Sequence, residues 1–112
     1  YLNIELNPNL CLYFGFGTGR VDRMRLLLPG GGKTLNACCE RTATGWDVAY
    51  ELPFKQLQLF FPEFSPSGKI RGNFYKCGDL TAQEHYLAWN RVDAGHPDFH
   101  LPAYFGELCF SD

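Results

Sequence analysis

Between positions 89 and 100 the chain gathers Trp89, Asn90, Arg91, Asp93, His96, Asp98, Phe99 and His100. These side chains combine flat aromatic faces with groups that pair hydroxyls. A sugar presents apolar C–H faces rimmed by hydroxyls. Its site therefore needs aromatic platforms with Arg, Asn, Asp or His beside them in a shallow groove. Phe99, Trp89, His96, Asn90 and Arg91 are the ligand-binding candidates on this ground. For Trp89, inside an alternating run, core packing is the stronger competing role. For Phe99, in a polar loop, the two roles weigh about equally. The carboxylates Asp93 and Asp98 beside His96 and His100 could also serve a hard cation such as calcium. A solvated loop with no bound metal or other cofactor is the simpler expectation.

Other chemistries find less support. A glycosidase needs two carboxylates facing each other across the scissile bond. The acidic residues here fall mostly on outward strand positions or in loops, and nothing marks a pair. No G-x-S-x-G is present, and no thiol is marked as a partner for His85, His96 or His100. Gly32-Lys33-Thr34 supplies only the tail of a phosphate loop: position 27 is Leu where Gly is needed, and no helical pattern follows. Cys11, Cys38, Cys39, Cys77 and Cys109 make an odd number with no C-x-x-C spacing. They read as buried free thiols acting as small hydrophobes. A reducing compartment suits them, and secretion with one or two bridges stays open. The chain reads as a non-enzyme of unknown compartment.

The elements that must carry these residues are short strands. Tyr1 to Asn7 alternates, with Leu2, Ile4 and Leu6 on one face, and Asn7-Pro8-Asn9 turns into an aromatic strand from Leu10 to Gly17. Further strands are expected over 23–28, 35–42, 46–52, 70–77, 85–90 and 104–110. Pro29-Gly30-Gly31-Gly32 marks a flexible loop. Phe54, Leu57 and Phe60 or Phe61 stand at helical spacing between Pro53 and Pro62, which predicts one short helix over 54–60. Residues 91–103 read as a long irregular loop. Many short strands with polar turns and an isolated helix imply an all-β chain, an antiparallel β-sandwich.

Composition narrows the partners. With 112 residues there is room for a single domain spanning 1–112. Ten Phe and six Tyr against one Met suit pleated, half-buried surfaces. A net charge of −2 leaves no basic excess for phosphates, so nucleic acid is not an expected partner. The longest apolar runs, Leu26-Leu27-Leu28 and Leu59-Phe60-Phe61, are far too short to cross a bilayer, so no membrane is expected either. The alternation begins at the first residue. The chain is therefore expected to be a mature product, a trimmed form or a fragment. In the last case the sandwich is an incomplete domain, completed by an upstream segment or a complementary chain that pairs with its exposed edge.

Three segments carry a resemblance: Ile70-Arg71-Gly72-Asn73-Phe74-Tyr75-Lys76-Cys77, His85-Tyr86-Leu87-Ala88-Trp89-Asn90, and Pro97-Asp98-Phe99-His100-Leu101-Pro102-Ala103-Tyr104-Phe105-Gly106-Glu107-Leu108. Together they resemble the end of family 9 carbohydrate-binding modules, and more closely the family 9-like bacterial proteins. The first strand and the Gly17-Thr18-Gly19-Arg20 turn resemble that domain's middle strands. The resemblance implies an immunoglobulin-like sandwich, the latter part of a longer domain. Such a module binds glucose, xylose or the ends of cello- and xylo-oligosaccharides between two aromatic rings and does no chemistry on them. In the W-x-x-P-x-x-F-G ending of classical members, Phe99 takes the place of the platform Trp. That keeps a stacking face but loses area and a donor. The resemblance also places Arg20 and Arg23 near sugar-contacting basic residues and leaves the second aromatic wall upstream of this chain. Two alternatives come from other classes. One is a haem-binding redox module of the same broad superfamily, needing an axial pair from Met24 and the three His. The other is a purely structural domain appended to an enzyme.

Overall fold

The computed structural model of the chain describes residues 1–111. It is all-β with antiparallel pairing throughout and one short α-helix. The backbone divides into two compact units, Tyr1–Phe64 and Ser65–Asp112.

The first unit is built on a three-stranded sheet, β1 (Leu2–Leu6), β2 (Leu12–Gly17) and β3 (Arg23–Leu26), in that order. The register sets Leu2 opposite Phe16, Ile4 opposite Phe14 and Leu6 opposite Leu12. Across the next ladder, Met24 faces Phe16 and Leu26 faces Phe14. The period of two thus collects one apolar face, as the alternation of Leu2, Ile4 and Leu6 predicts. Helix α1 (Phe54–Phe60) starts after Pro53, whose fixed φ suits the entry to a helix. It brings Phe60 to 6.0 Å from Phe14 and 5.1 Å from Phe16, with Phe61 edge-on to Phe16 at 5.8 Å. Under this cluster Phe14 is only 3% exposed.

The glycine run does not stay a flexible loop. Gly30 and Gly31 take φ of 83° and 57°, which only glycine adopts without cost, and the chain closes into a 3-10 turn over Gly31–Leu35. Leu35 is buried beneath it. A strand follows this turn where a phosphate loop would need a helix: β4 (Cys38–Arg41) pairs with β5 (Trp46–Ala49) as a hairpin.

In the second unit the single strand expected over 70–77 is two strands. β6 (Lys69–Gly72) pairs with β9 (Gly106–Cys109), and β7 (Tyr75–Cys77) pairs with β8 (Tyr86–Ala88). The break falls at Asn73. Its side-chain amide donates to the Asn90 carbonyl at 2.8 Å and to the Tyr104 carbonyl at 3.3 Å, while its Oδ1 accepts from the Asn90 N–H at 2.8 Å. A side chain has replaced the ladder at the point where the chain changes partner. The thiols are also not where expected. All five are free, with Cys39 half-buried and the other four exposed, so they do not fill a core.

Candidate functional site

Along the open side of β8 lies a hollow of about 510 Å³, walled on one side by Tyr86 and Trp89 and on the other by the 91–99 segment. Four of the sequence-derived candidates line it: Trp89, Arg91, His96 and Phe99. The aromatic residues are positioned by the two faces of the β7–β8 hairpin. Tyr75 and Tyr86 fall on one face, and Phe74, Lys76, Leu87 and Trp89 on the other.

Phe99 is stacked on Tyr75, with centroids 4.4 Å apart and planes at 15°, and meets Tyr86 edge-on at 6.2 Å. One face of its ring is thereby fixed against the hairpin. Trp89 does not pack as a core residue. It is 55% exposed and stands one residue past the end of β8. Its indole rests against Phe74 edge-on at 5.8 Å and lies over Gly106, where a Cβ would come within 2.7 Å of the ring. A glycine there is what lets the ring approach.

The far wall is fastened at several points. The Tyr104 hydroxyl donates to the Asp93 carbonyl at 2.9 Å, and Asp98 Oδ1 accepts the His100 N–H at 2.9 Å. Asn90 closes the near end. Its side-chain amide donates to the Tyr104 carbonyl at 2.8 Å, and both its backbone groups are held by Asn73. That amide therefore shapes the segment. Arg91 is exposed and reaches Asp93 only at 3.4 Å, so its guanidinium keeps most of its donors for solvent or a ligand. The Tyr86 hydroxyl donates to Glu84 at 2.8 Å. This bond, with burial and nearby negative charges as smaller causes, pushes the Tyr86 phenol up to about 12.

The sequence-derived candidates in the first unit sit around a second open hollow, of about 430 Å³, at the β2–β3 turn. Arg23 lines it, but its guanidinium is engaged: it donates to the Gly19 carbonyl and the Tyr1 hydroxyl and lies over the Tyr1 ring at 5.4 Å. Arg20 is exposed beside it.

A family model for carbohydrate-binding family 9 matches residues 1–110. The chain belongs to this family. No curated protein and no solved structure matches it. Family 9 membership supports carbohydrate as the general class of ligand. Among the described residues no group of three or more His, Cys, Asp or Glu gathers as a metal set. Met24 lines the first hollow, where no His stands. His96 lines the second without another His or a Met. Neither hollow is lined by a His–His or His–Met pair. Among the described residues no helix is long and apolar enough to cross a membrane.

Sequence reasoning missed Tyr75, Tyr86, Asn73 and Tyr104. The alternation in 70–77 does separate Tyr75 from Phe74. Nothing in it tells that Tyr75 would become the bed for Phe99.

Proposed function

We propose that this family 9 chain binds the ends of glucose- or xylose-type oligosaccharides in the hollow along β8, without cutting or joining them. The observation that carries the reading is the hollow's lining. Phe99 is locked on Tyr75, Trp89 is half exposed over Gly106, and Arg91 and His96 stand within the same walls. An aromatic ring already braced on one side gives a sugar face a surface at little entropic cost. Arg91 offers a fork of donors to neighbouring hydroxyls, and His96 offers one donor and one acceptor. Asn90 acts by holding the segment in place. Binding without chemistry agrees with a family of carbohydrate-binding modules.

Calorimetry with glucose, cellobiose and xylobiose tests this. Phe99→Ala should weaken binding by about 1–3 kcal/mol, the size of a lost aromatic stacking platform. It should also cost the fold about 0.5–1.5 kcal/mol through the lost Tyr75 stack. Unchanged affinity in Phe99→Ala would remove stacking from the account. Absence of heat with all three sugars would remove the sugar class.

A further inference from the structure

The hollow's strand wall is a free sheet edge. In an antiparallel pair, backbone groups point alternately toward the partner and away from it. The β7–β8 ladder fixes which residues point which way. Gly78 N–H donates to the His85 carbonyl at 2.9 Å, and Trp89 N–H donates to the Phe74 carbonyl at 2.9 Å. Leu87, opposite Lys76, lies midway between these bonded positions. His85, Leu87 and Trp89 therefore turn their backbone groups toward β7, and Tyr86 and Ala88 turn theirs outward. β8 has no second strand neighbour among the described residues, and all three of its residues are exposed. Tyr86 and Ala88 both line the hollow. Exposed edges are commonly guarded by Lys, Pro, a bulge or an inward charge. Tyr86-Leu87-Ala88 has none of these.

We infer that the outward N–H and C=O groups of Tyr86 and Ala88 form the polar half of the carbohydrate site. They make a fixed row of alternating donors and acceptors against which hydroxyls are read while the sugar's C–H face lies on the aromatic rings. A hydroxyl both donates and accepts, so it can use an N–H and a C=O of the same row. The row is uncharged and rigid. It selects neutral polyhydroxyl ligands, and its contribution is insensitive to salt. This inference rests on the carbohydrate reading of the hollow.

Proline separates the edge from the ladder. Ala88→Pro deletes an outward N–H and leaves the Leu87 and Trp89 bonds to β7 in place, a position where a strand tolerates proline. Ala88→Val keeps the N–H and adds comparable bulk. In the full chain, Ala88→Pro should lower cellobiose affinity about tenfold with unchanged circular dichroism. Ala88→Val should stay within about threefold of the parent, well short of a tenfold step. Amide exchange on the parent chain gives a readout that does not depend on Ala88→Pro folding. The Tyr86 and Ala88 amides should become protected on adding cellobiose. Sugar binding that is lost in Phe99→Ala but leaves both amides unprotected overturns the edge proposal and keeps the site. Equal losses in Ala88→Pro and Ala88→Val overturn it as well. A parent chain that binds none of the three sugars overturns both readings. Protection of the same amides by an extended peptide would then assign the edge to strand addition.

Discussion

Phe14 lies inside a short strand and Trp89 one residue past the end of another, both in alternating runs of sequence, yet one is 3% exposed and the other 55%. The first unit spends its aromatic residues inward: β2 is the middle strand of three, and α1 lays Phe60 and Phe61 over its apolar face. The second unit displays them. Its two sheets have two strands each, and the hairpin that carries Trp89 bears aromatic residues on both faces. A two-stranded ribbon is marginal alone, so this unit leans on side-chain bonds from Asn73, Asn90 and Arg71 where the first unit leans on ring packing. Alternation tells that two faces differ. It does not tell which face has a cover.

The largest effect should come from the covered ring. Phe14→Ala removes the residue that both neighbouring strands and the helix pack against. It should cost about 3–5 kcal/mol, the range for large aromatic truncations in a core. Denaturant unfolding measures it. A loss under about 1 kcal/mol, the level of an ordinary surface change, would place the stability of the first unit elsewhere.

Next comes the polar equivalent. Asn73→Ala deletes the bonds to Asn90 and Tyr104 and leaves the part-buried N–H and carbonyl of Asn90 short of partners, while the Tyr104 carbonyl keeps the Asn90 amide. The expected cost is about 2–3 kcal/mol, given net bonds near 1 kcal/mol and the penalty for groups left unpaired. The same change should loosen the 91–99 wall and weaken sugar binding along with stability. If stability falls and affinity holds, the wall is held without Asn73, through the bond from the Tyr104 hydroxyl to the Asp93 carbonyl.

These two residues also mark how much was legible. The strands β1 and β2, their apolar face and the helix over 54–60 follow from spacing, because each is fixed by contacts close in sequence. The split of 70–77 into two strands was not legible. It depends on Asn73 meeting Asn90 and Tyr104, 17 and 31 positions away. Composition gathered the candidate residues in one segment, and the hollow draws Trp89, Arg91, His96 and Phe99 into one lining. The roles within it were not readable. Trp89 reads as core from the alternation, but it stands past the end of β8 and is half exposed. Phe99 reads evenly as core or platform, and in the structure one of its faces is bedded on Tyr75. The exposed thiols show the same gap, since small apolar residues carry no periodic signal of their own.

Trp89→Ala sharpens the comparison directly. A half-exposed ring over Gly106 should cost stability by no more than about 1–2 kcal/mol, well below Phe14→Ala. Sugar affinity should drop by about 1–3 kcal/mol, as for Phe99→Ala. Gly106→Ala is the companion: a Cβ 2.7 Å from the indole must displace the ring. It should weaken sugar binding while every residue in the hollow is kept. A melting point lowered in Trp89→Ala as far as in Phe14→Ala would make the two regions alike after all.

The smallest effect concerns Tyr86. Its phenol is pushed up to about 12 from 10.0, first by the hydrogen bond it donates to Glu84 and then by burial and neighbouring negative charge. The folded chain therefore keeps this proton at a pH where the unfolded chain has lost it. By linkage the contribution is fully present below pH 10 and disappears as pH rises from there toward 12. Near neutral pH the phenol is uncharged in both states, so Tyr86 gives sugar binding no pH dependence. Subtracting the ultraviolet titration of Tyr86→Phe from that of the parent isolates this one tyrosinate. Its midpoint should lie near 12 and fall toward 10 in Glu84→Gln, where the acceptor is neutral. A midpoint that does not move in Glu84→Gln would mean that the Glu84 bond does not hold the ring at the mouth of the hollow. Phe99 would then depend on Tyr75 alone for its orientation, and the displayed aromatic residues of the second unit would be less firmly set than those packed in the first.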